Sequence, residues 1–153
     1  MISNRSQLEI GRQAPRFSAT NDEKVCVHLP DLLQEHGLLL TFIHGTWCSH
    51  CVQTLYRLRR AAPIFTQAGI GIAVVAIDPP AVLRIFRQSA SPAITFPLLA
   101  DEDENVHRTY GLVHASAYIA LDQSGITRAV FPDPDHHSYP GHLPIIQALR
   151  KLE

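Results

Sequence analysis

Two uninterrupted apolar runs stand out along the chain, at residues 37–43 and 69–77. A strand that is buried on both faces of a sheet has this pattern, because neither face meets water. A shorter run at 96–100 predicts a third strand, and two further runs flank a turn that contains glycine, at 117–121 and 126–131. The sequence therefore predicts a sheet whose last two strands form a hairpin.

Between these strands, apolar residues recur at spacings of three and four, which is typical of a helix with one buried face. After the first long run they are Val52, Leu55, Leu58, Ala62 and Phe65. We expect Pro63 to kink or end that helix, since proline lacks the amide that an interior helical position donates.

Three later segments also predict helices. Asp78-Pro-Pro80 opens one of them, since proline is favoured at a helix start. The acidic run 101–104 favours another helix start over a metal site, with Asp101 as the cap and Glu104 completing a capping box. Residues 143–152 predict a closing helix. The buried residues expected in the first and last of these helices are Val82, Leu83, Phe86, Ile145, Ile146, Leu149 and Leu152.

Strands and helices alternate along the chain and end in a hairpin and a helix, which predicts an α/β fold with helices on the faces of the sheet. The 153 residues are enough for one domain, spanning 1–153.

With 46% apolar residues and a net charge of −1, the composition predicts neither a nucleic-acid nor a membrane-surface partner. No apolar run approaches the ~20 residues of a membrane helix. Because the first ten residues lack the apolar centre of a signal peptide, we expect a cytoplasmic protein, although removal of a leader would leave the same sequence.

The candidate chemistry lies in His44-Gly-Thr-Trp-Cys-Ser-His-Cys51, between the first long strand and its helix. At a helix start, unpaired amides and the helix dipole stabilise a thiolate at Cys48. Cys51 lies one turn further in, where it reaches Cys48 but is more buried. We therefore expect Cys48 to attack a partner's disulfide and Cys51 to resolve the mixed disulfide.

Three neighbours of the pair have predicted roles. His50 places a hydrogen-bond donor near the Cys48 thiolate, which stabilises the reduced form and makes the disulfide more oxidising than a C-G-P-C pair; alternatively, His50 is a solvated surface residue. Trp47 offers an apolar platform for a partner's chain, or packs between strand and helix. His44 is a candidate proton acceptor for Cys51, or a turn residue.

Cys26 stands apart from the pair, in a segment where Cys26 and His28 would point to one face of a strand. We interpret it as a structural cysteine, with an alternate resolving cysteine as the other interpretation. A metal-binding or metal-delivery module is a remote alternative for the chain as a whole, since His44, Cys48, His50 and Cys51 are soft ligands and His136, His137 and His142 lie further along. No metal and no cofactor is predicted.

Trp47-Cys-Ser-His-Cys51 after an apolar strand resembles the thioredoxin superfamily. Gly11-Arg-Gln-Ala-Pro-Arg-Phe17 resembles the N-terminal G-x-x-A-P-x-F of the redoxin branch, the alkyl hydroperoxide reductase / thiol-specific antioxidant (peroxiredoxin-like) family. Two later segments, at 98–111 and 117–125, are similar to that branch as well. The resemblance implies a thioredoxin-like fold with a central mixed sheet, thiol chemistry at Cys48, and, as the alternative activity, an antioxidant peroxidase that reduces hydroperoxides at Cys48.

The chain departs from the patterns of the families it resembles around this site. Peroxiredoxins carry P-x-x-x-T-x-x-C, and counting back from Cys48 gives Thr41 and Gly45 instead. Thioredoxins carry a cis-proline where Ala115 or Ser116 stands here, so we expect a trans bond in that loop. His114-Ala-Ser116 also lacks the arginine of many peroxiredoxins. Phe42 replaces the buried acid of thioredoxins, and Thr41 beside it is no base, which favours a histidine as proton acceptor.

A redox-active dithiol predicts a disulfide-containing or dithiol protein as partner, or a peroxide as substrate. The electron donor, the direction of transfer in the cell and the oligomeric state have no signature in the sequence.

Overall fold

The fold is one seven-stranded sheet with helices on both faces, in a computed structural model that describes residues 8–113, 115–134 and 138–150. The strands are β1 Ser18–Asn21, β2 Cys26–His28, β3 Leu38–Ile43, β4 Gly71–Ala76, β5 Leu98–Ala100, β6 Ala117–Leu121 and β7 Thr127–Pro132. The helices are α1 Leu29–Leu32, α2 Ser49–Gln67, α3 Pro80–Ser89, α4 Asn105–Thr109 and α5 His142–Arg150. Within the described ranges, no helix combines the length and apolar character needed to cross a bilayer.

The sheet is mixed, with strand order β2-β1-β5-β4-β3-β6-β7. Strands β3, β4 and β5 are parallel, and β1, β2, β6 and β7 join them in antiparallel pairs. All six residues of β3 are buried, and in β4 only Gly71 is not, which confirms the two central strands predicted from the long apolar runs. The predicted hairpin is β6 and β7. A central mixed sheet flanked by helices is the predicted fold.

Alternate residues of β3 enter two separate cores. Leu39 and Ile43 pack on the face covered by α2 and α5, together with Leu55, Leu58 and Ile145. The other face is covered by α1 and α4, and its core contains Leu38, Leu40, Phe42, Val106 and Tyr110. Because strand side chains alternate between faces, this division follows from the apolar residues at every position of β3.

Helix α2 does not end at Pro63. It begins at Ser49 and continues through the proline to Gln67. Pro63 lies on the exposed side, while Ala62 and Phe65 on either side of it are buried in the core. Packing of that apolar face outweighs the one backbone hydrogen bond that proline removes, so a helix end at Pro63 is wrong, while a kink there stays a prediction.

The capping box predicted for the acidic run is also wrong. Glu104 is the N-cap of α4 itself, in the left-handed backbone region with φ of 63°, and its side chain caps nothing. Asp101 does accept from the first-turn amides of Val106, at 3.0 Å, and His107, at 2.8 Å, but from outside the helix.

Other helix predictions have mixed outcomes. Val82 is 38% exposed, because α3 buries only Leu83 fully and Phe86 partly. Ile145, Ile146 and Leu149 are buried as predicted, while Leu152 lies outside the described residues.

A buried charged pair connects α4 to the end of β3. His107 Nδ1 lies 2.6 Å from Asp101 Oδ2, and His107 Nε2 lies 3.0 Å from the carbonyl oxygen of Ile43. Burial by itself would raise the pKa of Asp101, but the hydrogen bonds from His107 and Val106 lower it overall, so the carboxylate is charged. Since a carboxylate and a carbonyl both only accept, His107 donates from both ring nitrogens.

We predict that Asp101→Asn destabilises the protein by about 3 kcal/mol, because it leaves a fully buried histidine without its charged acceptor. Urea unfolding at pH 7 measures the change. Asp103→Asn is the matched control, since Asp103 lies two residues away and is exposed, and its effect should stay below about 1 kcal/mol. Equal losses in the two variants would contradict a special role for the buried pair.

Candidate active site

Cys48 is the N-cap residue of α2, at the point where the chain enters the helix from β3. Its backbone is extended, with φ of −100° and ψ of 121°, and its amide donates to the carbonyl of Gly45 at 3.2 Å. Its own carbonyl accepts from the amide of Val52 at 3.0 Å, which starts the helical ladder. The predicted placement of Cys48 at a helix N-terminus is therefore confirmed, although its side chain makes no capping hydrogen bond to the first turn.

The two cysteines of the pair differ in exposure. Both are free thiols, Cys48 is half-buried, and Cys51 is 1% exposed. Burial raises the pKa of the Cys51 thiol to about 11; the backbone of Gly45 opposes this rise, and the hydrogen bond with Cys48 adds to it. Cys51 therefore keeps its proton at neutral pH, and Cys48 is the more accessible of the two sulfurs.

His44 lies against the pair. One ring nitrogen of His44 and the sulfurs of Cys48 and Cys51 all lie within 4.8 Å of one another. The imidazole is half-buried and stacks on the indole of Trp47, with centroids 6.2 Å apart and planes 7° from parallel. Trp47 is 69% exposed, so it forms a surface beside the cysteines and does not fill the space between strand and helix.

His50 and Ser49 are exposed in the first turn of α2. The backbone carbonyl of His50 accepts from Thr54 Oγ1 at 3.2 Å. His50 is thus one residue from Cys51 in the chain but is not part of the three-residue cluster around it. Its effect on the redox potential stays a prediction.

Thr41 and Ser116 are buried hydroxyls near the end of β3. Thr41 lies on the face of β3 that also carries Leu39 and Ile43, under α2, and pairs with Tyr118 of β6. Ser116 immediately precedes β6, and its carbonyl accepts from the amide of Asp133 at 2.9 Å. In the described part of the chain neither hydroxyl has a hydrogen-bond partner. The cis peptide bond among the described residues is Ser91–Pro92, so the bond between Ala115 and Ser116 is trans, as expected. His114 lies outside the described residues.

Asp78 is a site residue that the sequence reasoning missed. It lies two residues after the end of β4, is 4% exposed, and accepts from the amide of Thr46 at 2.8 Å through Oδ2. Burial raises the pKa of Asp78, while the hydrogen bonds from Thr46 act to lower it. The available signal was its position after the second long apolar run, because the carboxyl ends of neighbouring parallel strands meet at one edge of the sheet.

Cys26 does not belong to the site. It lies on the edge strand β2, four strand spacings from β3 in the sheet, which is roughly 19 Å at the usual separation. It is exposed, on the same face of the strand as His28, and its sulfur is 4.0 Å from His28 Nε2. Cys26 is therefore neither a second resolving cysteine for Cys48 nor a core residue.

The remaining candidate metal ligands are elsewhere. His142 is exposed at the start of α5, and His136 and His137 lie outside the described residues.

The chain is similar in sequence to bacterial thiol-disulfide oxidoreductases. The chain is 27% identical over 126 residues to the thiol-disulfide oxidoreductase ResA of Bacillus cereus, covering 81% of this chain and 70% of that protein. It is 24% identical over 129 residues to ResA of Geobacillus thermodenitrificans, covering 84% and 72%.

Solved structures of peroxiredoxins share the fold. Peroxidoxin BcpB of Mycobacterium tuberculosis superposes with a TM-score of 0.79 at 16% identity, over 96% of this chain and 99% of that one. The yeast mitochondrial 1-Cys peroxiredoxin superposes with a TM-score of 0.81 at 16% identity, over 95% and 76%. The model of the AhpC/TSA family matches residues 10–132, which include every strand and the cysteine pair. The chain therefore belongs to the AhpC/TSA family.

Proposed function

We propose that the chain exchanges disulfides with a protein partner, with Cys48 as the nucleophile and Cys51 as the resolving cysteine. The observation that carries the proposal is the unequal burial of two adjacent thiols at the start of α2. Its relatives named as thiol-disulfide oxidoreductases, together with its family, make the chain an oxidoreductase that acts on thiols.

The exchange takes two steps. The Cys48 thiolate attacks one sulfur of the partner's disulfide, which forms a mixed disulfide and releases the other sulfur as a thiolate. The Cys51 thiolate then attacks the Cys48 sulfur and releases the second partner thiol. The partner gains two electrons and the cysteine pair loses two. The same steps in reverse oxidise a dithiol partner.

The second step requires Cys51 to lose its proton, which its burial opposes. His44 is the proposed acceptor, because its ring nitrogen lies within 4.8 Å of that sulfur. Stacking on Trp47 holds the imidazole in place. Phe42 occupies the position of a thioredoxin's buried acid, so it offers no competing base.

The exposed indole of Trp47 supports a polypeptide as the partner. It lies directly before Cys48 in the chain and is 69% exposed, which is unusual for so large an aromatic side chain. An extended partner segment could cover the indole while its disulfide meets Cys48. We further propose the reducing cytoplasm as the compartment, since there the pair would be kept available for cycling.

A thiol peroxidase is the second candidate, and the shared fold with peroxiredoxins is the observation in its favour. It would reduce a hydroperoxide by forming a sulfenic acid at Cys48, which Cys51 converts to the disulfide with loss of water. The replacement of the proline and threonine of the peroxiredoxin motif by Thr41 and Gly45 argues against it.

We expect the two cysteine variants to fail at different steps when tested in a Cys26→Ser background. Cys48→Ser should lower reduction of insulin disulfides at least 100-fold, because no nucleophile remains. Cys51→Ser should instead accumulate a mixed disulfide with the partner, visible on a non-reducing gel. Full activity of Cys48→Ser would refute the assignment. Rapid hydroperoxide turnover by the parent protein without disulfide exchange would support the peroxidase.

We predict that the pair is less reducing than a thioredoxin, whose potential is about −270 mV. His50→Ala should lower the potential, because it removes a donor near the Cys48 thiolate while keeping the backbone amide. Equilibration with glutathione measures both values, and His36→Ala is the control, an exposed histidine two residues before β3 that is outside the three-residue cluster. A parent potential near −270 mV would contradict the prediction.

We expect Cys51 to ionise well above the ordinary thiol pKa of about 8.5. A raised pKa means that the neutral thiol persists to higher pH, so the thiolate absorbance at 240 nm should rise only above about pH 9.5. The measurement uses a Cys26→Ser, Cys48→Ser variant in metal-free buffer. The same variant unfolded in guanidinium is the control and should titrate near pH 8.5. Identical curves for the folded and unfolded protein would show that burial has no effect.

A further inference from the structure

We propose that the reduced site binds one Zn²⁺ ion through His44, Cys48 and Cys51. A zinc site goes beyond disulfide exchange, because it needs no partner protein and no change in oxidation state. Binding releases the two thiol protons and forms two Zn–S bonds and one Zn–N bond.

The spacing of the three donor atoms suits zinc. Zn–S bonds of about 2.3 Å and Zn–N bonds of about 2.0 Å put the ligands of a tetrahedral ion roughly 3.5–3.8 Å apart. The donors of His44, Cys48 and Cys51 lie within 4.8 Å of one another. Side-chain movements of about 1 Å would therefore complete the coordination, with no change in the backbone.

The backbone around the ligands is held by contacts that zinc would not disturb. The carbonyl of His44 accepts from the amide of Ile77 of the neighbouring chain segment at 2.8 Å. Cys51 lies in the first turn of α2 and is 1% exposed, and the amide of Cys48 is bonded to Gly45. The ligands thus come from a strand end and a helix start that are fixed relative to each other, which lowers the entropy that binding must overcome.

Charge favours Zn²⁺ over a monovalent soft cation. Two thiolates and a neutral imidazole balance the charge of Zn²⁺, so the complex is neutral at a site where Cys51 is fully buried. Cu⁺ with the same ligands would leave one net negative charge. Cys48 and His44 are half-buried, so water can occupy the fourth position, as in zinc sites with three protein ligands.

Zinc and the disulfide would compete for the same two sulfurs. A zinc-bound pair cannot attack a partner, and the oxidised pair has no thiolate to offer a metal. The proposed consequence is that free zinc holds the pair in its reduced, inactive form, and that the ion must dissociate before the two sulfurs can pass their electrons to a partner's disulfide.

The test is a competition titration of the reduced protein with zinc sulfate, in the presence of a chromophoric chelator and without oxygen. A Cys26→Ser background removes the separate thiol beside His28. We expect one Zn²⁺ per chain, at least tenfold weaker binding in His44→Ala, and at least 100-fold weaker binding in Cys51→Ser. His36→Ala is the matched histidine control and should bind like the parent. Circular dichroism checks that each variant is folded, and zinc-edge X-ray absorption should show two sulfur ligands and one imidazole.

Three outcomes would overturn the zinc site: no binding by the reduced protein, equal binding by the oxidised protein, or unchanged affinity in His44→Ala. Disulfide exchange is assayed separately with a chelator present. A protein that reduces insulin but binds no zinc would refute this inference alone, and one that binds zinc but lacks exchange activity would refute only the proposed function.

Discussion

Three hydrogen bonds hold the chain where β3 ends, and the position of both cysteines depends on them. The carbonyl of Ile43 accepts from the ring of His107, the carbonyl of His44 accepts from the amide of Ile77, and the amide of Thr46 donates to Asp78. Two of these partners follow β4, which pairs with β3 in parallel. The third belongs to α4 on the opposite face of the sheet from α2. A short loop that would otherwise be mobile is thereby fixed from two sides.

The difference between the two thiols arises from packing. The apolar face of α2 packs against the sheet, and this face includes Cys51, Leu55 and Leu58. Cys48 precedes the first helical residue, so it remains at the rim of the same core. One short segment thus contains one accessible thiol and one buried thiol. The core that stabilises the fold also determines which of the two sulfurs is accessible.

Much of the fold could be predicted because its central strands are apolar at every position, and the pair Cys48 and Cys51 is contiguous in sequence. The family and its thiol chemistry are confirmed for the same reason, since the motifs that carry them are local. The failures concern how the helices begin and end. Pro63 is accommodated inside α2 by packing against the sheet, and Glu104 takes the N-cap position of α4 without a capping hydrogen bond from its side chain.

Two residues near the site had no local signature of their role. Asp78 meets Thr46 across 32 positions, and His107 meets Ile43 across 64. Such contacts arise only once the parallel strands are aligned and α4 is packed beneath them. The exposure of Cys26 has a similar cause, because only the strand order shows that β2 is an edge strand with one side open to water.

Gly45 couples two positions of the motif that would otherwise look independent. A Cβ atom at position 45 would overlap the indole of Trp47 and lie 3.1 Å from Asp78 Oδ2. The indole can stack on His44 only because no side chain precedes it there. Positions 45 and 47 should consequently covary among homologues, with tryptophan in this orientation accompanied by glycine two residues earlier. Anyone transplanting the cysteine motif onto another scaffold would have to move the glycine with it.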